Sequence, residues 1–257
     1  VLEFAALGTA PAAVILPTFI ALAGGYLTQL GISNIPGFGL HALSVPGLPT
    51  YDAITFAELA LAIGVALVAG VVAAVVRESA VALDRFVGQR WQGPLIGAAI
   101  TAVVLAVGVT TFDLPADQIL FSGSGGMADL VQQTAVSSVI VILLFKAVVY
   151  CAALGTGFRG GPIFPATFLG VAVGVLVALL VPGISVTPLA AAGIAATAAA
   201  MTRLPATSAL LAALLVTGGA AVAPVAILGS AVGFLARTSA DRVMSRHAAN
   251  SPQVADA

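Results

Sequence analysis

Charge is the scarcest property of this chain of 257 residues: 7% are Asp, Glu, Lys or Arg, against 60% that are hydrophobic. A soluble domain carries about 25% charged residues, so water is excluded as the main solvent. The net charge of −1 leaves no basic field for nucleic acid and no polyacidic tail. One cysteine, Cys151, excludes an intrachain disulfide and any multi-thiolate metal site, and within its apolar run it reads as a small buried hydrophobe. The two histidines, His41 in a Gly- and Pro-rich stretch and His247 near the end, stand outside the apolar segments. No metal site or cofactor is therefore expected. Ser124 in a Gly-Ser-Gly run would suit an intramembrane serine protease, but such an enzyme needs a His on a helix, so the chain is not expected to be an enzyme. A starting Met and a basic signal region are also lacking, and Val1-Leu2-Glu3-Phe4 reads as a chain met partway through. Eight of the nine basic residues are Arg, with Ala, Gly and Val dominant. That suits a bacterial gene of high GC content and a place in the bacterial cytoplasmic membrane.

What the chain has in abundance is apolar runs, several longer than the roughly 18 to 20 residues that span a bilayer. Pro11 to Leu30 is a first span, and Gly31 to Asp52 an external loop. Ile54 to Val76 is a second span, leading to an amphipathic surface joint with Arg77, Glu78, Asp84, Arg85 and Arg90. The Gly31 to Asp52 loop holds no Lys or Arg, so the positive-inside rule places Arg77 to Arg90 in the cytoplasm. Gly93 to Val109 returns to an outer connector with Asp113 and Asp117. Then come a Gly-rich break at Phe121 to Gly126, a helix over Val136 to Leu154, and three short or discontinuous helices, Ala166 to Val181, Ala206 to Val216 and Val222 to Leu235, each behind a break. Residues 1–238 thus read as one transmembrane domain and 239–257 as a polar cytoplasmic tail.

The segment from Lys146 to Gly170 carries the chemistry. One helix stops at Gly155-Thr-Gly and another starts behind Gly160-Gly161-Pro162-Ile163-Phe164-Pro165. Free N–H groups at a helix start cannot be left unsatisfied in hydrocarbon, so non-helical backbone there should line a cavity filled by water or ions. A helix N-terminus also concentrates about half a positive charge, which makes an anion site without a basic side chain. The competing reading is that the glycines only permit close helix packing and that Pro162 is a favoured first-turn residue.

On these residues the chain resembles the CLC family of chloride channels and transporters, which carries a Gly-Gly-x-Phe-x-Pro stretch where backbone amides and a helix N-terminus hold chloride. The likeness continues through Gly193 to Thr217, where Arg203, Pro205 and Thr207 match the family's Arg-x-Pro-x-Thr run, and Phe121 to Met127 is similar to its Gly-rich re-entrant stretch. Before Phe121 the likeness is one of pattern. The resemblance implies an all-α polytopic membrane protein, a CLC-like bundle of broken and re-entrant helices. No internal repeat is found, so the chain would hold one of two inverted repeats plus a flanking helix.

By this resemblance the anion-binding residues are Gly160, Gly161, Ile163 and Phe164, and the pore-lining or gating candidates are Arg159, Pro162, Lys146, Ser124 and Glu3. Pro162 has no N–H to offer an anion. Arg159 is either an anion attractant or an interfacial residue, and Arg203 reads as a cap and cytoplasmic anchor. Lys146, alone in an apolar helix, must face a cavity or a partner, because a charge in lipid is costly. Glu3 stands where some transporters of the family place a proton-transfer acid. Three features depart from the family: the Gly-Ser-Gly-x-Pro loop and gating Gly-x-Glu-x-Pro motif are missing, Pro162 and Ile163 replace the usual residues, and the pore tyrosine is absent. The expectation is chloride movement, passive or proton-coupled, by a homodimer in a lipid bilayer. The alternatives are another small-anion transporter built on broken helices and a non-transporting membrane scaffold.

Overall fold

In the computed structural model, residues 15–32, 44–88, 91–158, 160–216 and 218–250 are described. Their regular structure is helical: α1 Ile15–Ile32, α2 Phe56–Leu83, α3 Gly93–Phe112, α4 Ala116–Ile119, α5 Met127–Val131, α6 Val136–Gly155, α7 Ile163–Leu180, α8 Val186–Thr202, α9 Pro205–Leu215 and α10 Gly219–Asn250. The chain divides into two units, Val1–Ser44 and Val45–Ala257. Among the described residues five helices are long and apolar enough to cross a bilayer: Phe56–Val87, Gly93–Phe112, Val136–Gly155, Ile163–Leu180 and Ala221–Ser245.

α2 opens on a reciprocal cap. The Glu58 N–H donates to Thr55 Oγ1 at 3.3 Å and the Thr55 N–H donates to Glu58 Oε2 at 2.9 Å. The same carboxylate accepts the Tyr51 hydroxyl at 2.8 Å and the Ser185 N–H at 3.4 Å, which ties the segment ahead of α2 to the cap of α8. Burial, and then the Glu58 hydrogen bond and charge, push the Tyr51 phenol well above its ordinary pKa. α2 does not stop at Val76 as expected. It continues to Leu83 and into a π-helical turn, Asp84–Gly88. Arg77 pairs with the adjacent Glu78 at 2.7 Å, and Val76 and Ala80 are buried, so nothing breaks the helix before the glycine.

The centre of the bundle is α8, whose residues from Thr187 to Ala200 are all buried. A Cβ at Gly170 of α7 or at Gly193 of α8 would overlap the other glycine's backbone, and a Cβ at Gly233 of α10 would overlap Ala196. The three helices therefore touch backbone to backbone, the closest approach small residues allow. Arg203 ends α8 in a left-handed conformation, φ 60°, just before Pro205.

The end of the chain differs most from expectation. The short helix expected over Val222 to Leu235 is part of α10, which runs unbroken for 32 residues through the 238/239 boundary. Arg237, just before that boundary, is 1% exposed. Its Nη2 lies 3.1 Å from Asp241 Oδ1, one helical turn on, and its Nη1 lies 3.5 Å from Glu78 of α2, a charge contact without a hydrogen bond. Asp241 also pairs with Arg203. Acids on two helices compensate the buried guanidinium and carry the helix past the apolar stretch.

Candidate anion site

α6 ends where Thr156 turns its N–H and hydroxyl back on the Ala152 carbonyl, at 3.1 and 2.8 Å, and Gly157 takes a φ of 87°. Beyond this stop, Gly160 and Gly161 are clear of the other described residues, for a Cβ added at either would meet none of them within 4 Å. Close helix packing does not account for them.

Pro162 caps α7, with φ −77° and ψ −12°, and Ile163, Phe164 and Pro165 form its first turn. A helix start exposes four N–H groups, those of the cap and the three residues after it. Proline occupies two of the four places. The Ile163 and Phe164 amides are the two that remain, and neither makes a hydrogen bond among the described residues. Phe164 is exposed, yet from Ala166 to Val175 every residue of α7 is buried. The helix thus begins in an opening and drives its positive end out of the protein interior. The Pro162 carbonyl is held from behind by the buried Tyr150, whose hydroxyl donates to it at 2.6 Å. A cavity of about 270 Å³, lined by Arg77, Asp84, Leu154, Pro162 and Met201 among others, reaches this cap from the Arg-rich end of the bundle.

A second group of the named residues meets one turn along α7. The Lys146 ammonium is 1% exposed and donates to the carbonyls of Ile119, Leu120 and Phe121 at 3.2, 2.9 and 3.1 Å. It also lies 4.9 Å from the Phe168 ring centroid. An ammonium has three N–H donors, and all three are engaged. Lys146 thereby closes the carbonyl end of α4 and faces a partner inside the protein. Ser124 lies on the exposed loop that follows, 2.9 Å from the Ser122 hydroxyl. Gly123 of that loop abuts Phe168 and Lys146, and Phe168 shares a face of α7 with Phe164. Gly160, Gly161, Pro162, Ile163 and Phe164 thus stand at the helix start, while Lys146 and Gly123 of the Ser124 loop lie against Phe168, one helical turn farther along α7. Arg159 and Glu3 lie outside the described residues.

Sequence reasoning missed Tyr150, because nothing in an apolar run marks a hydroxyl that reaches twelve residues ahead. It also missed Gln118, whose side-chain amide is fully buried with no hydrogen-bond partner among the described residues. Compared with known families, residues 1–238 match the family model described as voltage gated chloride channel. Comparison with curated proteins gave no match.

Proposed function

As a member of the voltage-gated chloride channel family, the chain is an integral membrane protein of anion transport, and we propose that its anion is held at the start of α7 by the Ile163 and Phe164 amides, with Gly160 and Gly161 keeping the approach clear. The observation that carries this reading is a helix start whose two remaining amides make no hydrogen bond among the described residues, behind two glycines that pack against none of them, on a helix buried from Ala166 to Val175. Neutral donors and a helix dipole hold an anion without the tight ion pair that would stop it from leaving. The anion reaches this cap through the cavity beside Arg77 and Asp84, from the cytoplasmic side on which the Arg-rich end lies by the positive-inside rule.

Chloride is the anion, and its movement is passive or coupled to protons. Proteoliposomes decide between the two: a chloride gradient that drives proton uptake marks an exchanger, and efflux without proton movement marks a passive path. Liposomes that release no chloride, with the protein folded and inserted, would sink the reading. The unit is a homodimer formed through α9 and α10, whose small residues Ala206, Ala209 and Ala213 line an open apolar groove with exposed Leu210 and Ile227. A protein that stays monomeric across a range of concentrations in mild detergent would remove this interface.

A further inference from the structure

We propose that Tyr150 is a positioning residue for the anion, acting through the peptide unit between Pro162 and Ile163; the inference rests on the anion site proposed above. A peptide unit is planar and trans, so its C=O and N–H point in opposite directions. The carbonyl of this unit belongs to Pro162 and the N–H to Ile163. Tyr150 Oη donates to the carbonyl at 2.6 Å. Its hydroxyl is carried by a ring that is 4% exposed on α6, a helix that has not yet reached its end. A rigid, buried anchor on the carbonyl side therefore fixes the direction of the Ile163 N–H on the other side.

The geometry at this cap makes that anchor matter. Pro162 and Pro165 supply no N–H, so half of the donors remaining at the helix start belong to the one peptide unit that Tyr150 holds. The hydrogen bond also polarises the unit: a carbonyl that accepts makes its own N–H a stronger donor. Tyr150 does not touch the anion in this arrangement, since the one proton of its hydroxyl is spent on the carbonyl. The preceding Pro162 ring restricts rotation of the unit from one side, and the tyrosine restricts it from the other.

The test uses the full chain in lipid nanodiscs, labelled with ¹⁵N-isoleucine, with the Ile163 amide assigned by its loss in Ile163→Val. Sodium chloride is titrated against a background of constant ionic strength. In the wild type the Ile163 resonance is expected to move with chloride. In Tyr150→Phe, which keeps the ring and removes the hydroxyl, its midpoint should rise about 3- to 10-fold, the factor carried by one neutral hydrogen bond. A purely structural tyrosine would lower the unfolding temperature and leave this midpoint in place. Replacement of Tyr150 by 3-fluorotyrosine, a stronger donor of nearly the same shape, should lower the midpoint, and it decides the matter if Tyr150→Phe does not fold. A wild-type Ile163 amide that ignores chloride, while calorimetry shows chloride bound, overturns the site and this inference together. An Ile163 amide that responds, with the same midpoint in the wild type and in the folded variants, overturns the role of Tyr150 alone.

Discussion

Replacing Pro162 by Gly or by Ile gives back the N–H that the cap of α7 lacks, and the structure sets the scale of the effect. Two of the four amide places at this start hold proline, so the change raises the donor count from two to three. A hydrogen bond to a charged group contributes about 1.5–3 kcal/mol. Against it stands the loss of the proline's preset φ, which costs about 0.4–1 kcal/mol. The Tyr150 bond survives, because it is made to a backbone carbonyl that any residue supplies. The net gain is about 0.5–2.6 kcal/mol, or roughly 2- to 80-fold tighter chloride. Isothermal titration of the detergent-solubilised protein with chloride, set against the wild type, measures it. Unchanged or weaker affinity in both variants, with helicity and elution volume intact, would mean that the amides of this cap do not face the ion.

Other perturbations probe the frame around the site. Lys146→Met leaves three carbonyls at the end of α4 without their donor and should cost at least about 2 kcal/mol in denaturant unfolding; a neutral result would show that the ammonium is not needed there. Gly193→Leu drives a side chain into the Gly170 backbone, and the expected outcome is loss of folded protein in size-exclusion chromatography rather than a modest shift. Gln118→Leu removes a buried amide without partners among the described residues and should be neutral or stabilising by up to about 2 kcal/mol; clear destabilisation would reveal a polar partner, such as a water. Arg85, exposed on the π-helical turn, gives in Arg85→Cys a position that membrane-impermeant thiol reagents reach from the cytoplasmic side, and labelling from outside intact cells would reverse the orientation.

The membrane-spanning helices were legible because apolar runs of bilayer length have few other uses, and the starts of α3 and α6 fall at the residues the sequence indicates, Gly93 and Val136. The break ahead of α7 was legible for a local reason, since glycine and proline change backbone chemistry wherever they stand. Less visible was anything decided by pairing across the bundle. α8 was not separated from its neighbours, because an Ala-rich run buried on all sides has no polar face to set its period. The length of α10 was missed because Arg237 looks like an interfacial residue until Glu78 and Asp241, on either side of it, are seen to compensate it. Tyr150 and Pro162 are linked by one bond between a side chain and a distant carbonyl, which no spacing rule announces.

The backbone contacts between α7, α8 and α10 have a consequence for movement. Helices separated by full side chains can slide past one another by exchanging rotamers, but glycines pressed onto facing peptide groups leave no such slack. The amides at the start of α7 therefore ride on a stator. With the anion held where we propose, whatever opens or shuts its path is a part that swings past this fixed point, while the donors themselves stay still. Spin labels on the exposed ends of α7 and α8 should report one unchanging distance through a full transport cycle, and a distance that alternates with chloride would show that the post itself moves.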